Sequence, residues 1–229
     1  MRKSLLLGLC LSVALCLNAQ NPYKQYTDNL PFKMAEMKAP VIPDAKVSLK
    51  DFGADPTGQQ LCTDAFAKAI DQLYKMGGGH LVVPRGVWHT GPIVLKSNID
   101  LHLQAGAVIL FAADEKLYPI IDTSFEGLDT RRCQSPLSAN GATNIAITGQ
   151  GVIDGNGQYW RPVKRGKVTD SHWKELLKRP GGVTLKKDYW VPSTGYAQGE
   201  AGANMNVPNA KTEAEWNEIK RFLQIGRAS

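Results

Sequence analysis

Residues 135–160 read S-P-L-S-A-N-G-A-T-N-I-A-I-T-G-Q-G-V-I-D-G-N-G-Q-Y-W, and no other stretch limits the possible fold as tightly. Polar and apolar residues alternate over 144–148 and again over 151–153, which predicts two short strands. Gly149-Gln150 separates them, and Asp154-Gly155-Asn156-Gly157 closes the second. Strands this short cannot bury a face alone. Glycine and asparagine between them accept the positive φ of a sharp corner. Short strands repeated between such corners build a parallel β-solenoid, in which each coil covers the apolar face of its neighbour. Asp154 and its flanking glycines are read as corner builders, because Asp before Gly is ordinary turn chemistry.

The same pattern appears upstream. Residues 47–49 read as a strand and Asp55-Pro56-Thr57-Gly58 as a turn. A helix is expected next, with Thr63 as N-cap and Asp64 in its first turn. Phe66, Ala69, Ile70 and Leu73 recur at helical spacing, and Gly77 ends the helix. Strands are expected over 81–83, 92–95, 99–103 and 107–111. His89 and His102 fall on strand faces with no metal-ligand partner at useful spacing. Residues 114–132 read as a longer solvent-facing connection that carries Asp122 and Glu126.

Taken together, these strings resemble a known family. Gly149, Gly151, Ile153, Asp154, Gly155, Gly157 and Trp160 spell G-x-G-x-I-D-G-x-G-x-x-W, which is similar to the early-coil motif of the polygalacturonases, glycoside hydrolase family 28. Phe125-Glu126-Gly127 ahead of Ser135-Pro136-Leu137 resembles the bacterial members. Asp51-Phe52-Gly53-Ala54, the helix, and Gly77-Gly78-Gly79 before Val83-Pro84 resemble the N-terminal cap of pectin-degrading β-helices. The resemblance is close over 47–160 and loose to about 223. It implies an all-β fold: a right-handed parallel β-helix, here its N-terminal coils with a capping helix, truncated on the C-terminal side. It also implies inverting hydrolysis of α-1,4-galacturonosyl links in pectic polysaccharide such as polygalacturonate.

Inversion uses an acid on one face of the sugar and a base-activated water on the other, with carboxyl groups roughly 6.5–9.5 Å apart. The family draws these from N-x-D and D-D, followed by H-G and R-x-K, on later coils. This chain has no Asp-Asp and no His-Gly pair. Asn98-Ile99-Asp100 fits N-x-D too early, and Arg165-Gly166-Lys167 fits R-x-K with no H-G before it. No catalytic residue is therefore assigned, the substrate-binding residues stay unknown, and no metal or cofactor is expected. The expectation is an N-terminal portion inactive by itself, with Asp100, Asp122, Glu126 and Asp154 as the carboxylates to test if it proves active. Two alternatives stand beside it. One is a non-catalytic carbohydrate-binding β-helix module. The other is a pectate lyase on the same scaffold, which would need a Ca²⁺ cluster of carboxylates.

Residues 1–19 read as a signal peptide: Arg2 and Lys3 precede the apolar run 5–17, and Leu17-Asn18-Ala19 suits cleavage. Export to the periplasm or outside follows, with no nucleic-acid partner and no membrane after cleavage. Residues 20–46 read as an irregular lead-in. Export permits a disulfide between Cys62 and Cys133, and two free thiols is the reading favoured. Residues 161–229 form a basic, loop-rich insertion. Between 161 and 187, nine Lys and Arg face only Asp170 and Glu175. That charge suits an acidic polysaccharide or a solvated surface. A short helix is expected over 171–177 with Trp173, Leu176 and Leu177 on one side, a strand over 183–185, and a second helix over 214–223. Tyr159, Trp160, Trp173, Tyr189 and Trp190 are read as core packing first and sugar platforms second.

Overall fold

Short strands pair in parallel along the chain, and the corners between them set the architecture. The computed structural model describes residues 23–35, 37–125, 127–194, 196–197 and 212–214. The leader at 1–19 and the second helix of the insertion, apart from its first residue, lie outside them. Two units separate at residue 39. In the first, α1 (Lys24–Thr27) is a single turn with no buried residue. The second, from Pro40 onward, holds everything else, so the last part of the lead-in belongs to it.

Its strands follow in order: β1 (Lys46–Ser48), then α2 (Thr63–Lys75), β2 (Gly79–Val83), β3 (Gly86–Thr90), β4 (Ile93–Val94), β5 (Ile99–Leu103) and β6 (Ala107–Phe111). A pair, β7 (Ile120–Phe125) and β8 (Leu128–Cys133), precedes β9 (Leu137–Ser138), β10 (Ala146–Gly149) and β11 (Val152–Asp154). Three parallel sheets result, ordered β1-β2-β5-β10, β3-β6-β11 and β4-β9. Successive coils add strands to these sheets, four in the first, three in the second and two in the third. Inward positions stack in register, Leu81 on Leu101 on Ile147 and Trp88 on Ile109 on Ile153. The first of these layers are sealed. Towards the last described coil the cover thins, and the inward Ile147 and Ile153 are 51% and 38% exposed.

The helix α2 closes the other end. Phe66, Ala69, Ile70 and Leu73 are buried against the coil interior. Its N-cap is Cys62, not Thr63, and no side chain caps it. Thr63 serves a longer-range contact instead: its hydroxyl accepts from the Gly91 N–H at 2.7 Å and meets the Thr90 hydroxyl. Cap and first coil are thus joined by the residue expected to serve the helix alone. Cys62 is a buried thiol that burial pushes up from its ordinary pKa, and it is not bonded to the partly exposed Cys133.

Residues 114–132 are not a loop. They contain the antiparallel hairpin β7–β8, in register from Ile120 opposite Cys133 to Phe125 opposite Leu128. The insertion also has more order than its composition suggests. It forms β12 (Val163–Lys164), α3 (Asp170–Lys178), β13 (Val183–Leu185) and β14 (Tyr189–Val191), with β14 central in a small antiparallel sheet. Trp173, Leu176 and Trp190 make its core, whereas Leu177 faces out. Trp173 and Trp190 are therefore packing residues. Among the described residues no helix is long and apolar enough to cross a membrane.

One corner shows how the coils are locked together. Asn98 and Asn144 occupy equivalent places on successive coils and both are left-handed, φ 63° and 57°. The Asn144 amide donates to Asn98 Oδ1 at 2.8 Å and to the Val41 carbonyl, while its oxygen accepts from the Val41 N–H. Asn98 in turn donates to the Gly77 carbonyl at 3.2 Å. At Gly149 (φ 99°) a Cβ would sit 1.9 Å from the Leu103 carbonyl oxygen, so nothing larger fits. Replacing Asn144 with alanine is expected to cost roughly 2–4 kcal/mol, the strain of a left-handed alanine plus the lost amide bonds. Asn144→Gly keeps the backbone freedom and is expected to cost less. Urea midpoints of the two variants check this order.

Candidate functional site

In β5, Ile99, Leu101 and Leu103 are buried in the coil interior. Alternation therefore turns Asp100 and His102 towards the outer face. Asp100 is nonetheless only 2% exposed. The parallel register sets His80 and Ala146 on either side of it, and sets Thr148 beside His102. His80 Nδ1 lies 2.8 Å from Asp100 Oδ2, and Thr148 Oγ1 lies 2.9 and 3.0 Å from the two carboxylate oxygens. His102 Nδ1 is 2.7 Å from the same hydroxyl.

Donor bookkeeping orders this knot. An ionised carboxylate only accepts, so Thr148 gives its one proton to Asp100. His102 must then donate Nδ1–H to the threonine oxygen, and His80 must donate Nδ1–H directly to Asp100. The coils on either side supply the two partners of this buried carboxylate, His80 from β2 and Thr148 from β10. The arrangement holds register between coils and leaves Asp100 no open oxygen for substrate chemistry. This also places both ends of Asn98-Ile99-Asp100: the asparagine in the corner ladder, the aspartate in the knot.

The other carboxylates singled out are dispersed. Asp122, on the hairpin, binds Arg131 at 2.8 Å, and Arg131 also takes Glu213 at 2.9 Å. Asp154 accepts from the Asn156 N–H at 2.8 Å, closing a corner. Glu126 lies outside the described residues. Arg165-Gly166-Lys167 is a single 3-10 turn, with Arg165 bound to Asp170 and to the Val168 carbonyl. His89 sits in β3 opposite Leu110. Among the described residues no three His, Cys, Asp or Glu side chains gather as a metal site.

A second cluster forms where the chain leaves the coils. The hairpin departs after β6 and the insertion after β11, which are neighbours in one sheet. Both excursions thus start from the same corner on successive coils. Tyr118 in the first meets Trp160 in the second edge-on at 5.8 Å, and Trp160 meets Tyr159 at 5.3 Å. The Arg179 guanidinium lies over Tyr159 at 4.9 Å and over Trp190 at 5.2 Å. A continuous row therefore runs Tyr118–Trp160–Tyr159–Arg179–Trp190, joining solenoid wall to insertion core. Sequence reading proposed three of these aromatics but neither Tyr118 nor Arg179. The cation lies 20 residues past its tyrosine, with no motif to mark it.

Two outcomes follow from these clusters. Thr148→Val removes the hydroxyl that Asp100 and His102 share, and it is expected to destabilise the fold by roughly 1–3 kcal/mol. A double-mutant cycle with His80→Ala should be non-additive, read from urea midpoints. Tyr118 donates to the Ala112 carbonyl at 2.8 Å, and burial, with the Asp114 charge second, pushes its pKa from 10.0 up to about 12. The unfolded chain then loses this proton first, so stability is full below about pH 10 and falls as pH rises towards 12. Tyr118→Phe should flatten that alkaline fall in a pH series of melting temperatures.

No family model matches the chain. Over 122 residues, 49% of this chain and 25% of the relative, it is 38% identical to the Vitis vinifera protein named "Probable polygalacturonase". Over 119 residues it is 35% identical to the exo-poly-alpha-D-galacturonosidase of Dickeya chrysanthemi, covering 48% of this chain and 19% of that one. The solved hyperthermoactive exopolygalacturonase of Thermotoga maritima aligns at 44% identity with a TM-score of 0.50, covering 54% of this chain and 28% of that one. The chain spans about a quarter of the length of these proteins. Over that span its coils are those of a right-handed parallel β-helix related in sequence and fold to the polygalacturonases of glycoside hydrolase family 28.

Proposed function

We propose that this protein belongs to a pectin-degrading hydrolase system and acts on polygalacturonate, cleaving α-1,4-galacturonosyl links with inversion. The observation that carries the reading is the 44% identity to an exopolygalacturonase over 54% of the chain. Export through residues 1–19 is part of the same proposal, since pectic polymers are too large to enter a cell. In this reading the described region is scaffold and approach surface. The cap α2 seals the first coil, and the Asp100 knot and the asparagine ladder hold later coils in register. The basic stretch 161–187 raises the local concentration of a polyanion.

Carbohydrate binding without hydrolysis is a second reading, favoured by one observation. Asp100, Asp122 and Asp154 each engage structural partners rather than each other. Reducing-end release from polygalacturonate separates the two, measured with the 229-residue chain and with the product of its complete reading frame. The hydrolase reading expects release by the complete product, with inverted anomers in a proton spectrum. Binding without release by either sample supports the second reading. Unsaturated product ends, dependent on calcium, would overturn both.

A further inference from the structure

We propose that Arg179 is the carboxylate anchor of a uronate-binding site, with the exposed parts of Tyr159 and Trp160 as the surface for the sugar ring. The inference deepens the polyuronate reading above and rests on it for the identity of the acid. Arg179 follows α3 and is set by the turn after it: its carbonyl accepts from the Gly182 N–H at 3.3 Å. Gly182 packs against the Trp190 indole so closely that a Cβ would lie 2.5 Å from its Nε1. That approach brings the guanidinium over Trp190 while Tyr159 covers it from the coil side. The cation is half-buried and held between two rings before any ligand arrives, so little ordering remains to be done on binding.

Its hydrogen bonding is incomplete. Nη1 is out of solvent and has no acceptor among the described residues. The comparison within the same subdomain is direct. Arg165 also lies over a tryptophan, Trp173, yet it has both the Val168 carbonyl and Asp170 as acceptors. Both acidic residues of the basic stretch are already engaged, Asp170 by Arg165 and Glu175 by Lys178. A partly desolvated guanidinium with no anion partner among the described residues selects a planar, bidentate acceptor, which a carboxylate is and a hydroxyl is not. The aromatic row leading away from it favours a carboxylate carried on a ring with an apolar face. A uronate has both features, and neutral galactose has only the second.

The test is calorimetric titration of the protein with trigalacturonate, its methyl ester and galactotriose. Wild type is expected to bind trigalacturonate and to bind the ester and galactotriose at least about tenfold more weakly. Arg179→Gln should cost at least about tenfold for trigalacturonate alone, and Arg179→Lys should recover only part, since an ammonium is a point donor. Absence of trigalacturonate binding to wild type, or unchanged binding by both variants, overturns the proposal. So does an equal loss for galactotriose. If the variants lose their near-ultraviolet dichroism, phenylglyoxal labelling of wild type decides. Trigalacturonate but not galactotriose should protect Arg179 in peptide mass spectra, and equal labelling overturns the assignment. Arg179-dependent binding without reducing-end release keeps this site and removes the hydrolase reading. Release that ignores Arg179 does the reverse.

Discussion

Everything in this molecule depends on one constraint: each coil must lay its backbone back onto the previous one, about 4.8 Å away, with every inward side chain landing on its predecessor. A strand of four or five residues has little freedom to miss. What decides success is the corner, where the chain must turn without a side chain in the way. Asn98 and Asn144 meet this with left-handed backbones and a shared amide ladder, and Gly149 meets it by presenting no Cβ to the Leu103 carbonyl. The apolar layers then form as a consequence. Leu81, Leu101 and Ile147 stack because the corners have already aligned them.

Two buried or half-buried charges show how differently that scaffold treats polar groups. Asp100 draws donors from the coils on either side, His80 and Thr148, so its burial adds specificity of register with no orphaned oxygen. Arg179 is held by π-faces, which satisfy its charge in part but accept none of its Nη1 hydrogens. The first is a closed structural unit. The second retains bonding capacity.

How much of this was legible follows from range. The corners were legible because glycine and asparagine mark positive φ locally, and the strands because period-two alternation needs no partner to be seen. The cap helix was read correctly except at Thr63, whose hydroxyl is used 28 residues away at Gly91. The hairpin β7–β8 escaped because neither of its strands alternates: I-I-D-T-S-F and L-D-T-R-R-C lie outside the coil stack, with little apolar face to bury. Asp100 looked like a chance match to N-x-D, because its partners lie 20 and 48 residues distant and only the coil length brings them together. The tryptophans of the insertion were correctly weighted to packing, but the core they share joins β14 to α3 across a sheet that composition alone does not announce.

The two excursions from the coil carry a consequence of their own. Hairpin and insertion leave from the same edge on adjacent coils and touch through Tyr118 and Trp160, not through the solenoid interior. Lengthening or shortening one of them alters the neighbouring excursion before it alters any core layer. Sequence change on this wall is therefore expected to be coupled along the solenoid axis between segments far apart in the chain, while the coils beneath can stay constant. A surface built this way can be remodelled as a unit, at right angles to the direction in which the polypeptide is written.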